Sequence, residues 1–183
     1  MNILFNKVRK VKSPNRAYPD SNGVSLAAAT DFFIPEYDSE FLSDLLKKNT
    51  NKSYYDYTVS ANCDSMSITI APHGRINIPS GIRVIIGDNN TCLLAVNKSG
   101  VAANKGLIVG ACLVDADYQA EIHLNVINTS DEPVQIKTGD KLVQFMHLPI
   151  LCTSYQEVCS EDFEKLKPES VRKGGGFGSS GTQ

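Results

Sequence analysis

The sequence has no tryptophan, only three histidines and five cysteines, and none of these sparse residues is spaced as a metal or redox site. Cys63, Cys92, Cys112, Cys152 and Cys159 are odd in number and contain no C-x-x-C pair, which excludes a secreted disulfide framework and a zinc cluster. They read as reduced, mostly buried thiols. His73, His123 and His147 are widely separated, without an H-E-x-x-H or i,i+4 pair, and the last two stand in strand-like text as packed side chains. An apolar run long enough to span a bilayer is also missing. The segment from Met1 to Lys10 lacks the charged start, apolar centre and cleavage site of a signal peptide. A cytoplasmic protein without a membrane partner is expected. The formal net charge of −2 gives no broad basic field, so nucleic-acid binding by wholesale phosphate neutralisation is disfavoured and any polyanion must be met locally. Asn97-Lys98-Ser99-Gly100, a cation, a hydroxyl and a glycine after a strand, reads as a plain loop as readily as a phosphate-binding segment, and no G-x-x-x-x-G-K-[ST] phosphate loop occurs.

What is present is a series of short strands. Met66–Ile70, Gly74–Ile78, Arg83–Ile86, Cys92–Val96, Glu121–Ile127, Val134–Ile136 and Lys141–Met146 are separated by turn text such as Pro79-Ser-Gly81 and Thr138-Gly-Asp140. With 183 residues the chain fits one main domain, an all-β sandwich or barrel of jelly-roll type. One stretch breaks the pattern. Phe41, Leu42, Leu45 and Leu46 recur at helical spacing behind Asp38, predicting a short amphipathic helix, and the Tyr-rich stretch from Asn49 to Asn62 reads as a surface loop or short edge hairpin. A further helical turn is expected near Ser160–Leu166.

Two segments carry chemistry. The tail, Arg172-Lys-Gly-Gly-Gly-Phe177-Gly178-Ser179-Ser180-Gly, combines a guanidinium, an aromatic ring and glycines whose backbone N–H groups can approach phosphate oxygens. Taken alone it is a flexible linker as readily as a phosphate clamp. Val114-Asp115-Ala116-Asp117-Tyr118 places two carboxylates and a phenol at a predicted hairpin turn after the apolar run Leu107–Leu113. By themselves they read as turn residues before they read as a base that deprotonates water.

Five short motifs, in order, resemble those of the trimeric deoxyuridine triphosphatases (dUTPases). They are Ala28-Ala-Thr-Asp31-Phe32, Lys98-Ser99-Gly100-Val-Ala102, Val114-Asp115-Ala-Asp-Tyr118, Gly139-Asp-Lys-Leu-Val-Gln144 and the tail from Arg172 to Gly181. The resemblance implies a jelly-roll-like domain over residues 1–171 and a flexible arm over 172–183 that closes the active site. It implies hydrolysis of dUTP to dUMP and pyrophosphate with Mg²⁺, keeping uracil out of DNA. Asp115 would be the general base; Tyr118 would lie under the deoxyribose; Lys98, Ser99, Gly100 and Gln144 would meet the phosphates. Gly110 would belong to the segment reading uracil through its backbone, and Asp31 would support Mg²⁺ from the outer shell through water. Arg172 would pair with the γ-phosphate, and Phe177, followed by Gly178 and Ser179, would close over the base. A homotrimer with shared sites is the implied assembly.

Four departures accompany the resemblance. Lys98 replaces the usual arginine, exchanging a planar fork for a point charge. Ala29-Thr30 replaces Gly-Tyr. The Gly106–Cys112 stretch, part of the hairpin whose backbone groups read the base in the family, is about two residues short and lacks the asparagine that often helps recognise uracil. Residues 36–62 form an insertion with its helix, either tolerated surface or an added surface for a partner protein. Two rivals follow, a same-fold enzyme acting on dCTP with altered base specificity and a nucleotide-dependent regulatory binding protein. Deaminases of this superfamily place a glutamate a few residues after the hairpin turn, where Leu124-Asn125 stand here, and they lack the Gly-Phe-Gly tail.

Overall fold

Branched apolar residues at alternate positions drive most of the architecture, because each strand then offers one face to a core and the other to solvent. The computed structural model describes residues 3–50, 56–62 and 65–170. The chain separates into two units, 1–151 and 152–183. The first contains β1 (Leu4–Lys7), β2 (Asn15–Arg16), β3 (Thr30–Phe32), α1 (Ser39–Asn49), β4 (Tyr57–Asn62), β5 (Ser65–Ile70), β6 (Arg75–Pro79), β7 (Ile82–Ile85) and β8 (Thr91–Asn97). It continues through α2 (Ser99–Lys105), β9 (Leu107–Val109), β10 (Leu113–Val114), β11 (His123–Asn128), β12 (Val134–Lys137) and β13 (Val143–Pro149). Apart from the β1–β7 ribbon, the strands form three sheets, ordered β10-β8-β13-β3-β2, β6-β11-β9 and β12-β5-β4. The jelly-roll-like expectation is met, among the described residues, by open sheets rather than a closed barrel.

Ile68, Ile70, Ile76, Ile78, Leu124 and Val126 are at most 1 % exposed and fall at alternate positions along their strands. Burying each such side chain contributes roughly 2 kcal/mol against the ordering cost of the chain.

Helix α1 joins this core. Asp38 caps it by accepting the Phe41 N–H at 2.8 Å. Phe41, Leu45 and Asn49, spaced i, i+4 and i+8, form its buried face. The Tyr37 ring stacks on Phe41 with centroids 5.0 Å apart. Its hydroxyl donates to Ile136 O at 3.1 Å, and burial raises its pKa. At the helix end, the Asn49 amide meets the outer edge of β6, donating to Asn77 O at 2.9 Å and accepting the Asn77 N–H at 2.8 Å. A side chain thus serves the edge strand as a neighbouring strand would. The helical part of residues 36–62 is therefore a wall of the core rather than only added surface, and β4 lies at a sheet edge on β5.

Three other expectations change. Asn97–Gly100, read as a loop, leads into α2, which ends where Gly106 adopts φ 64° and donates to Ala102 O at 3.1 Å. The segment from Leu107 to Val114 is not a hairpin: β9 pairs with β11 and β10 with β8, so the chain crosses between two sheets at Gly110–Cys112. Of the described cysteines only Cys92 is buried. Cys112 lies on the crossing, and Cys152 and Cys159 lie in the second unit, whose described residues are all exposed.

That second unit contains α3 (Ser160–Leu166), with Lys165 paired to Glu161 at 2.7 Å. Arg172, Phe177, Gly178, Ser179, Tyr54, Tyr55 and Cys63 lie outside the described residues. No described helix is long and apolar enough to cross a membrane.

Asn49→Ala should lower stability by about 2 kcal/mol, because two hydrogen bonds at a buried sheet edge are lost. Urea denaturation checks this; an unchanged midpoint would show that the side chain does not hold α1 to β6.

Candidate functional site

Strand β13 lies between β3 and β8, and its register places Gln144 opposite Asp31 on one side and Val96 on the other. Residues in such a row share a face, so the first and fourth motifs meet beside the end of β8 that leads into the second. Asp31 is 1 % exposed. Its carboxylate pairs with the Lys98 ammonium through one oxygen and lies 3.3 Å from the Lys141 ammonium through the other. A carboxylate removed from water requires such compensation. The trio carries a net positive charge. Lys98 and Lys141 keep part of their side chains in solvent, so the buried acid holds two cations at the rim.

Gln144 donates to Asn97 O at 2.9 Å, securing the residue before Lys98. Asn97 in turn accepts the Val109 N–H at 2.7 Å. Ser99 and Gly100 form the exposed first turn of α2; the first helical bond runs from Ala102 N to Lys98 O, and first-turn N–H groups have no partner within a helix.

The third motif lies elsewhere. From Val109 the chain runs antiparallel along β8, with Cys112 O accepting the Ala95 N–H at 2.6 Å and Val114 opposite Leu93. Asp115 then emerges beyond Leu93, six residue steps from Lys98 when taken opposite Cys92, about 20 Å along the strand. It is exposed at a turn closed by Tyr118 N donating to Asp115 O at 3.1 Å. Tyr118 is 39 % exposed, and its hydroxyl donates to Glu121 O at 2.9 Å. Asp31, Lys98, Ser99, Gly100 and Gln144 thus gather at one end of β8, and Asp115 and Tyr118 at the other, with Gly110 on the segment that connects them.

Gly110 is required sterically. Its N–H donates to Asn125 O at 3.0 Å, and a Cβ there would overlap Asn125 Oδ1 and stand 2.8 Å from Ile127 Cδ1. Beneath this segment is a small cavity of about 60 Å³ lined by Val109, Ala111, Cys112, His123 and Asn125, among others. Burial lowers the His123 pKa, which favours its neutral form in this wall. Among the described residues no three His, Cys, Asp or Glu converge as a cation cage, and both Asp31 oxygens face lysines. These residues fit a divalent ion only where ligand oxygens and water supply the coordination.

The dUTPase family model matches residues 55–181. The chain belongs to the dUTPase family. The match takes in the second to fifth motifs; residues 28–32 and α1 precede it. Among curated relatives, deoxyuridine 5'-triphosphate nucleotidohydrolase of Haemophilus ducreyi is 34 % identical over 136 residues, 70 % of this chain and 86 % of the relative. That of Actinobacillus pleuropneumoniae serotype 3 is 33 % identical over 119 residues, 64 % and 75 % of the two chains. Among solved structures, the dUTPase of Staphylococcus bacteriophage 80alpha with dUPNHPP has a TM-score of 0.69, 18 % identity and 98 % coverage of each chain. A mutant dUTPase of phage phi11 of S. aureus, described with a structural Mg(II) ion, has a TM-score of 0.62 and 16 % identity over 86 % of this chain and 97 % of that one. At these identities the two phage structures establish the fold alone.

Within this dUTPase the sequence motifs do not reveal Lys141 as the second partner of Asp31, nor Glu121 as a support of Tyr118 and Asn125 as a support of Gly110. Lys141 lies inside the fourth motif, but its contact depends on strand register. Asp31→Asn should destabilise the fold by about 2 kcal/mol and, although it makes the rim more positive, weaken binding of inorganic pyrophosphate, because the two ammonium groups lose the carboxylate that holds them in place. Thermal denaturation and calorimetric titration check both effects; unchanged values would remove Asp31 from this role.

Proposed function

We propose that the chain hydrolyses dUTP to dUMP and pyrophosphate in the cytoplasm, with the third motif activating water and the Lys98 end of β8 receiving the phosphates. The observation that carries this reading is the pairing of Lys98 and Lys141 with a buried Asp31, beside the first turn of α2 at Ser99 and Gly100, a local cationic rim on an acidic protein. Asp115, an exposed carboxylate at a closed turn, takes a proton from water as the water oxygen bonds to the α-phosphorus. The bond from the α-phosphorus to the oxygen bridging it to the β-phosphorus breaks, and pyrophosphate departs toward the lysines, which stabilise its developing charge. When bound, Mg²⁺ would supply further charge neutralisation, with Asp31 supporting it from the outer shell through water. Lys98 acts as a point charge, and Gln144 supports it through Asn97 O.

The base lies along Gly110–Cys112, read by backbone groups, and the deoxyribose lies on Tyr118. Arg172 and Phe177, with Gly178 and Ser179, close the site from the arm. The glutamate nearest the turn, Glu121, is bound by Arg9 and the Gly81 N–H, which favours hydrolysis over deamination.

The separation of about 20 Å between Asp115 and Lys98 along β8 supports a homotrimer in which each site draws these groups from different copies. The β1–β7 ribbon adds to this. Leu4, Phe5 and Ile85 are 62, 46 and 63 % exposed beside a cleft of about 460 Å³ that also includes Ala116 of the third motif, apolar surface that assembly would cover.

In a deoxynucleotide panel with Mg²⁺, pyrophosphate release should be confined to dUTP, and Asp115→Asn should lower kcat by 10²–10⁴-fold while dUTP still binds. Comparable turnover of dCTP would replace the base assignment; retained turnover by Asp115→Asn would remove it as the base.

A further inference from the structure

Helix α1 reaches the nucleoside-binding segment by two separate polar routes. In the first, Asn49 holds both backbone groups of Asn77, and the Asn77 side chain accepts a hydrogen bond of 2.6 Å from Asn125 Nδ2. Asn125 is 9 % exposed; its other amide atom faces Gly110 Cα so closely that no side chain fits there, and its carbonyl accepts the Gly110 N–H. In the second, Asp44 of α1 pairs with Arg9, whose side chain is 4 % exposed. Arg9 forms a two-pronged pair with Glu121, from Nε at 2.9 Å and from Nη2 at 3.0 Å. This pairing lowers the Asp44 pKa and raises that of Arg9, as expected for charges held together. The Glu121 carbonyl accepts the Tyr118 hydroxyl. One route ends at Gly110 and the other at Tyr118, the two ends of the segment assigned above to base and deoxyribose.

We propose that α1 is a positioning element for the nucleoside half of the site, acting through Asn125 on Gly110 and through Glu121 on Tyr118. The inference rests on the reading that residues 110–118 receive the nucleoside. An amide pair and a bidentate ion pair are directional, so they fix the height and tilt of this segment against β11 in a way that apolar packing alone does not. Ala111, between Gly110 and Cys112, offers no polar side chain to the base. Nucleoside selection then depends on the placement of backbone groups, which these two routes govern. The phosphate rim at Lys98 and Lys141 shares none of these contacts.

Asp44→Ala, at a position one-third exposed, and Asn125→Ser each interrupt one route. For each variant, KM and kcat for dUTP, the dUTP-to-dCTP ratio of kcat/KM, competition by inorganic pyrophosphate and amide hydrogen exchange over residues 110–121 would be measured. The expected result is faster exchange in that segment, a KM raised about 10-fold, a lower dUTP-to-dCTP ratio and unchanged competition by pyrophosphate. Asp44→Glu should recover most of the loss at position 44. Unchanged exchange over 110–121, or an equal weakening of pyrophosphate competition, would overturn the proposal. Faster exchange with unchanged KM and base ratio would instead overturn the reading that this segment receives the nucleoside.

Discussion

The pairing of β13 with β8 over seven residues, Val143 to Pro149, is the constraint on which the rest depends. It places Gln144 between Asp31 and Val96, and β8 then leads directly into Lys98. A slip of one residue would turn Gln144 to the opposite face and break the row that brings the first, second and fourth motifs together. Phe145, paired with Ala95 and Thr30 and 3 % exposed, resists that slip because it would have to leave the core for solvent. Phe32 adds to the same lock, its ring 4.5 Å from that of Phe145. The polar face of the site and the apolar face of the core therefore fix one register.

The site uses charge economically. A buried carboxylate gathers two lysines, giving a positive rim on a protein whose overall charge is slightly negative. The same device recurs with opposite sign at Arg9, a buried guanidinium gathering Glu121 and Asp44. One cluster organises the Lys98 end of β8, proposed to receive the phosphates, and the other supports Tyr118 of the third motif. Each is a local solution to the cost of burying an ion, and each ties together elements far apart in sequence.

Strands whose side chains alternate were legible in the sequence, as were the capped helix behind Asp38 and the five motifs, because period, cap and motif are properties of neighbouring residues. Contacts set by register or by long separation were not. Lys141 lies in a motif, but its pairing with Asp31 requires β3 beside β13. Glu121 and Arg9 are 112 positions apart and carry no local signal. The crossing at Gly110–Cys112 reads as a hairpin because an apolar run before a turn is compatible with either arrangement; the partners of β9 and β10, not their composition, decide between them. Lys98-Ser99-Gly100 reads as a loop because α2 is short and begins without a side-chain cap.

These placements lead to one claim about the assembly. Asp115 and Lys98 lie at opposite ends of β8 within a chain, so in the proposed reaction a complete site would take its base and its phosphate rim from different copies. The most direct measurement mixes two inactive chains, Asp115→Asn and Lys98→Ala, unfolds and refolds them together at equal amounts, and assays dUTP hydrolysis. If sites are shared, about a quarter of them pair an intact Asp115 with an intact Lys98, and activity near a quarter of the unaltered protein should return. Activity no greater than that of the two separate variants would contradict the account.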